Sequence, residues 1–436
     1  MNRSLAVVIA LLMTTVSLAG CVENNDDSIE VPEHVVDNLL CIGEIGQSHV
    51  GSITSRDHPS VVTPIVFNEE LYYFAPNNEF SGADLWKYNG IDASIVAEIG
   101  GWDETGFVIF NDELYFGASD EIHGHELWKY DGTTASMVAD LVPGSNGSEP
   151  SELKVYDGEL YFNAYDEIHG LELWNYNGTN FSMVVDINPS GYGNPTGLTV
   201  FNNELYFTAS DGIHGYELWK YNGTNVSMVV DINSNFPDFI QEGTNMDGLF
   251  SSSFPYIIAV FNNELYFSGM TDYLNNSQVF EMWKTDGINT SMVASKFALY
   301  GTVFKGDLIL VTENGLESYD GTNFSSIATN DLWAEPESLG ANPFENYGAS
   351  VPIVFNDNLF FGIINEIRAQ ELWMYDGSNS SLVATYYRPY ISTDGPQDEW
   401  GLEASISPMN RLTLYNEDLF VAVDSYGNEL CKYSPL

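Results

Sequence analysis

The chain has 436 residues, 44% of them hydrophobic and 14% aromatic, enough apolar mass for a large core. Its 62 acidic residues against 13 basic ones give a formal net charge of −49, which excludes nucleic acid as a partner because phosphate neutralisation needs lysine and arginine. The same imbalance argues against direct docking on anionic lipid; it suits either a solvated acidic surface in salty surroundings or recruitment of cationic ligands.

Residues 1–20 read as a signal peptide. Arg3 precedes an apolar run, Leu5–Val16, that is too short to span a bilayer, and Leu18-Ala19-Gly20-Cys21 follows. Small residues ending at a cysteine resemble a lipobox, which implies cleavage before Cys21 and lipidation of its thiol. The lipid would hold the protein on the extracytoplasmic side of the cell membrane. An ordinary signal peptide with an incidental cysteine is the other reading. Residues 21–37 then form an acidic tether and 38–436 a single domain, in which no stretch is apolar enough to be a transmembrane helix.

From there the chain repeats one unit. In Ser151–Ile187 four alternating apolar runs, Leu153–Tyr156, Glu159–Ala164, Leu171–Tyr176 and Phe181–Ile187, are separated by Asp-Gly and Asn-Gly pairs, which reads as an antiparallel four-stranded sheet. The second strand recurs as Leu71-Tyr72, Leu114-Tyr115-Phe116, Leu160-Tyr161-Phe162, Leu205-Tyr206-Phe207 and Leu265-Tyr266-Phe267. It decays to Leu308-Ile309-Leu310, Leu359-Phe360-Phe361 and Leu419-Phe420-Val421. The third strand recurs around Trp86, Trp128, Trp174, Trp219, Trp283 and Trp373, with degenerate copies at Leu316–Tyr319 and Leu430–Tyr433. The expected fold is all-β, an eight-bladed β-propeller of four-stranded antiparallel blades.

The last copy ends after its third strand, and a spare strand, Leu40–Ile45, sits at the other terminus. The N-terminal strand is therefore expected to complete the eighth blade and close the ring. A four-residue loop places Trp174 opposite Met183, and the same offset pairs Trp128 with Met137, Trp219 with Met228 and Trp283 with Met292. In the closing blade those two positions are Cys431 and Cys41, so a disulfide between them is expected, two buried thiols being the alternative.

The run Glu126-Leu127-Trp128-Lys129-Tyr130-Asp131-Gly132-Thr133 resembles the signature of the ELWxxDGT repeat proteins, with close copies at Glu172–Thr179, Glu217–Thr224 and Glu371–Ser378 and looser ones at Asp84–Ile91 and Glu281–Ile288. Blades six and eight depart from it by losing the tryptophan. The resemblance implies a secreted or surface-attached propeller and carries no activity.

Candidate site residues sort to one face. Asp-x-Ile-His-Gly recurs as Asp120–Gly124, Asp166–Gly170 and Asp211–Gly215 in second-to-third-strand loops, offering Asp120 with His123, Asp166 with His169 and Asp211 with His214. Trp102, Trp333 and Trp400 fall in connections between blades, beside Asp103, Glu104, Asp331, Glu335, Asp398 and Glu399. Aromatic rings with carboxylates suit a sugar or a cationic ligand. The bland reading is turn chemistry for the Asp-His loops and packing for the tryptophans. One shared metal site is not expected, since the ring radius separates the pairs. Glycosylation acceptor sequences begin at Asn146, Asn177, Asn180, Asn222, Asn225, Asn275, Asn289, Asn323 and Asn379, where Asn-Gly-Thr is equally good turn chemistry.

No catalytic residue, cofactor or metal motif stands out. The sequence supports a membrane-anchored monomer that binds polysaccharide, peptide or another envelope protein. The alternatives are an extracellular carbohydrate-active hydrolase or lyase on the same scaffold, and a purely structural envelope protein.

Overall fold

The computed structural model describes residues 39–41, 64–76, 83–101, 106–120, 122–233, 252–274, 277–312, 314–329, 350–364, 370–386, 411–423 and 429–433, all within one compact unit, Val36–Leu436. These residues form thirty-two strands and, among them, no helix. The strands make eight four-stranded antiparallel blades arranged as an eight-bladed β-propeller, as expected.

Blade 3 shows how the repeat folds. Its strands are Ser151–Tyr156, Glu159–Asp166, Gly170–Tyr176 and Phe181–Val185, each paired with the next. The inner hairpin is a two-residue turn, with Tyr156 opposite Glu159 and with φ of 48° at Asp157 and 79° at Gly158. Positive φ at both positions defines the turn whose twist matches paired strands, and Asn, Asp and Gly reach it most cheaply. The outer hairpin, Asn177–Asn180, is held by its first residue: the Asn177 Oδ1 accepts the N–H groups of Thr179 (3.0 Å) and Asn180 (2.9 Å). Asp131 does the same for Thr133 and Thr134. This is the physical content of the Asp-Gly-Thr half of the repeat signature.

The second strand is buried on both faces from Leu160 to Ala164, which is why its run is largely apolar, Asn163 being the polar exception. Leu160, Phe162 and Ala164 pack toward blade 2, while Tyr161 packs toward blade 4. Eight hydrophobic clusters fill the eight gaps between neighbouring blades. The cluster of Leu71, Tyr73, Tyr88, Tyr415 and Phe420 joins the first blade to the last. Blades 1 and 2 also share hydrogen bonds, because the outer strand Ala93–Gly101 runs on to pair Gly100 and Gly101 with Ser119 and Ala118.

The ring closes as anticipated. Leu39–Cys41 pairs antiparallel with Glu429–Tyr433 and places Cys41 directly opposite Cys431, which is buried. Residues 42–45 of the anticipated strand lie outside the described residues. Trp128, Trp174, Trp219 and Trp283 stand opposite Met137, Met183, Met228 and Met292, as the loop length implied.

The outer strand differs from the sequence expectation in two respects: it ends at Val185 rather than Ile187, and it carries a bulge. In blade 3 Trp174 pairs with Met183 but Leu173 pairs with Val185, so Val184 bulges out of the ladder. The same shift occurs at this step in blades 1, 2, 4, 5, 6 and 7. A bulge bends its strand and increases local twist, which suits the outermost strand of a strongly twisted blade.

Candidate functional site

The three Asp-His loops are copies of one device. Asp120 Oδ1 accepts the N–H groups of Ile122 (3.0 Å) and His123 (2.9 Å), and its Oδ2 lies 2.7 Å from His123 Nδ1. Asp166 holds Ile168 and His169 at 3.0 and 2.5 Å, with 2.8 Å to the ring. Asp211 holds Ile213 and His214 at 2.9 and 2.8 Å, with 2.7 Å to the ring. One carboxylate thus closes the turn and orients the imidazole, which leaves Nε2 for a ligand.

The electrostatics follow from these bonds. Burial, the largest single effect on Asp120, Asp166 and Asp211, opposes ionisation, but the N–H and ring bonds from the histidines outweigh it and hold all three below their ordinary value. The bond to the carboxylate raises His123 and His169 above theirs, with Asp140 and Glu126, or Asp186 and Glu172, adding to the effect.

Between Asp and His each loop presents an isoleucine to solvent: Ile122 is 68% exposed, Ile168 84% and Ile213 77%. Singly these would be ordinary; the same apolar tip on three consecutive blades is not scattered exposure.

The closing glycines fix where the loops sit. Gly124, Gly170 and Gly215 have φ of 69°, 81° and 78°. A Cβ on Gly170 would lie 2.1 Å from the Tyr192 ring, one on Gly124 2.4 Å from Gly147 N, and one on Gly215 2.4 Å from Ser252 Oγ. Each loop therefore rests on the connection that leaves its own blade.

Sequence reasoning missed what anchors that connection. The Glu of the repeat signature is fully buried in blades 2, 3 and 4. Glu172 accepts the N–H groups of Ile187 (3.0 Å) and Gly193 (2.9 Å). Glu126 accepts Val142 N–H (3.2 Å) and the Ser148 hydroxyl. Glu217 accepts Ser253 N–H (3.0 Å) and the Ser253 hydroxyl (2.5 Å). Burial raises all three carboxyls, Glu172 to about 6 and Glu217 to about 8. Next to the Glu, the carbonyls of His125, Leu171 and Tyr216 accept N–H groups of Ser148, Asn194 and Ser253. The connection then reaches on, with Tyr165, Ser210 and Met270 N–H bonded to Ser148, Gly193 and Ser253 carbonyls. The only sequence signal was a Glu recurring beside a core leucine.

Trp102, Trp333 and Trp400, with the carboxylates beside them, lie outside the described residues, as do Cys21 and Asn275. Among the described residues no group of three His, Cys, Asp or Glu is arranged to hold a metal ion.

No family model matches the chain, and no curated protein matches it. Solved structures do. A prolyl endopeptidase matches at 10% identity and TM-score 0.46, over 74% of this chain and 49% of its own. The β-propeller domain of the Trilobed protease from Pyrococcus furiosus matches at 12% identity and TM-score 0.46, over 76% of this chain and 100% of its own. A puromycin hydrolase matches at 10% and 0.49, over 84% and 58%. The chain thus spans about half the length of the first of these enzymes. At such identities the likeness concerns the propeller fold alone.

Proposed function

We propose that the protein is an exported, lipid-anchored binding module that captures an extended polypeptide bearing cationic and aliphatic side chains on the Asp-His loops of blades 2–4. The observation that carries this reading is the threefold repetition of an exposed isoleucine between an ionised aspartate and an oriented imidazole, each loop braced against its own connection. Aliphatic contact supplies affinity, and the charge of −49 favours cationic partners and speeds their approach. Anchoring through Cys21 and kinship with the ELWxxDGT repeat proteins complete the proposal, as does a Cys41–Cys431 disulfide. The opposed register and the short distance between directly paired antiparallel residues support that bridge.

An enzymatic reading would look first to the carboxyls with raised pKa. Glu126, Glu172 and Glu217 are fully buried and occupied by backbone N–H groups, so they serve the connections rather than a substrate. The test is a peptide and glycan array probed with the full-length protein, products being checked by mass. Binding of cationic, aliphatic peptides without turnover supports the module; cleaved product supports an enzyme; binding of glycans only would move the ligand class to polysaccharide.

A further inference from the structure

We propose that the outer hairpins of blades 3–7 carry a belt of N-linked glycans, attached at Asn180, Asn225, Asn289, Asn323 and Asn379. These five residues occupy one structural position, the last of a four-residue hairpin, where each backbone carbonyl accepts the N–H of the residue that opens the turn, at 3.2 Å in all five. All five are exposed, and each is followed two residues later by an exposed serine on the outer strand: Ser182, Ser227, Ser291, Ser325 and Ser381. The intervening residues are Phe, Val, Thr, Phe and Ser, so every one is an intact acceptor sequence presented on a projecting turn.

Among the described residues the remaining acceptor sequences, at Asn146, Asn177 and Asn222, fail on geometry. Asn177 and Asn222 open their hairpins, and each carboxamide oxygen accepts two N–H groups of its own turn, at 2.8 to 3.0 Å. Turning that amide to a transferase would release the turn. Asn146 is exposed, but its partner Ser148 is fully buried and its hydroxyl donates to Glu126. Among the five, Asn289 and Asn323 donate to Asp286 and Asp320 at 3.1 and 3.3 Å, exposed bonds for which water already competes. Blades 1 and 2 retain the serine as Ser94 and Ser136 but carry Asp92 and Thr134 in place of the asparagine, so the belt ends there.

The transfer uses a lipid-pyrophosphate-linked oligosaccharide. The side-chain amide nitrogen bonds to sugar C1, the C1–O bond to the pyrophosphate breaks, and the lipid pyrophosphate leaves with the electron pair. The amide proton passes to a base on the transferase. Because the outer hairpins lie at the opposite end of the third strand from the Asp-His loops, the glycans leave the proposed binding face uncovered.

The inference rests on export, so the test separates the two. Full-length protein is isolated from the envelope of the cells that make it and mapped by glycopeptide mass spectrometry, while protease shaving of intact cells reports its location. Carbohydrate on the five asparagines, with Asn146, Asn177 and Asn222 bare, is the expected result. A variant with all five changed to Gln should lose the added mass, and one with Asn146→Gln, Asn177→Gln and Asn222→Gln should keep it. Bare asparagines on shaved, surface-exposed protein overturn the belt and leave export standing. Bare protein resistant to shaving overturns both, and glycan on Asn146, Asn177 or Asn222 overturns the geometric selection.

Discussion

Glu217 shows how a single buried carboxyl can govern the behaviour of the fold. Its carboxyl is raised from an ordinary 4.5 to about 8, chiefly by burial. Between those values the folded state holds a proton that the unfolded chain has lost, so stability falls as pH rises through that window. The slope approaches about 1.4 kcal/mol per pH unit for one proton. Glu172, raised to about 6, contributes an earlier step of the same sign. Thermal melts between pH 5 and 9 should therefore show a falling melting temperature, and Glu217→Gln should remove the upper part of the fall while leaving the step near 6. A variant as steep as the parent between pH 7 and 9 would contradict this account. Backbone conformation gives a second residue-scale expectation. Gly170→Ala must adopt a φ of 81° and displace the Tyr192 ring. Denaturant unfolding should show a loss of about 1–3 kcal/mol.

Strand identity was legible because propeller strands buried on both faces read as short apolar runs bounded by turn pairs, and the four-residue outer loop fixed the Trp–Met register. The outer-strand bulge was not, since Val184 and Val185 alternate no differently from a regular strand. The Asp-His loops were legible as turns from the Asp that opens each and the Gly that closes it. That they are braced against the connections was not, because Gly170 meets Tyr192 and Gly215 meets Ser252 only in three dimensions. The closing element gives a direct expectation. Removing Leu39–Cys41 exposes the unpaired edge of Glu429–Tyr433. Cys431→Ser, which breaks the proposed disulfide while keeping the strand, should lower the melting temperature under oxidising conditions and make it insensitive to reductant. A parent protein whose melting temperature does not change on reduction would count against the bridge.

Across the whole molecule, charge bears on stability, and charge and aliphatic exposure together underlie the proposed recognition. Five lysines of the repeat (Lys87, Lys129, Lys220, Lys284 and Lys432) are each committed to a carboxylate on the adjacent second strand. The net charge of −49 already includes these lysines, so acidic self-repulsion remains large. Raising salt from 0.05 to 1 M should therefore raise the melting temperature by screening self-repulsion, an effect read by calorimetry. Recognition was less legible than fold for a physical reason: the proposed binding surface rests on the joint exposure of Ile122, Ile168 and Ile213, and a sequence lists residues without saying which of them reach solvent. The most direct measurement is equilibrium binding of cationic, aliphatic peptides by the full-length protein, compared with a variant carrying Ile122→Ser, Ile168→Ser and Ile213→Ser. The account expects parent binding to survive in part at 1 M salt and to weaken tenfold or more in the variant, about 1.4 kcal/mol or beyond. Equal binding by both proteins, or none by the parent, would contradict it.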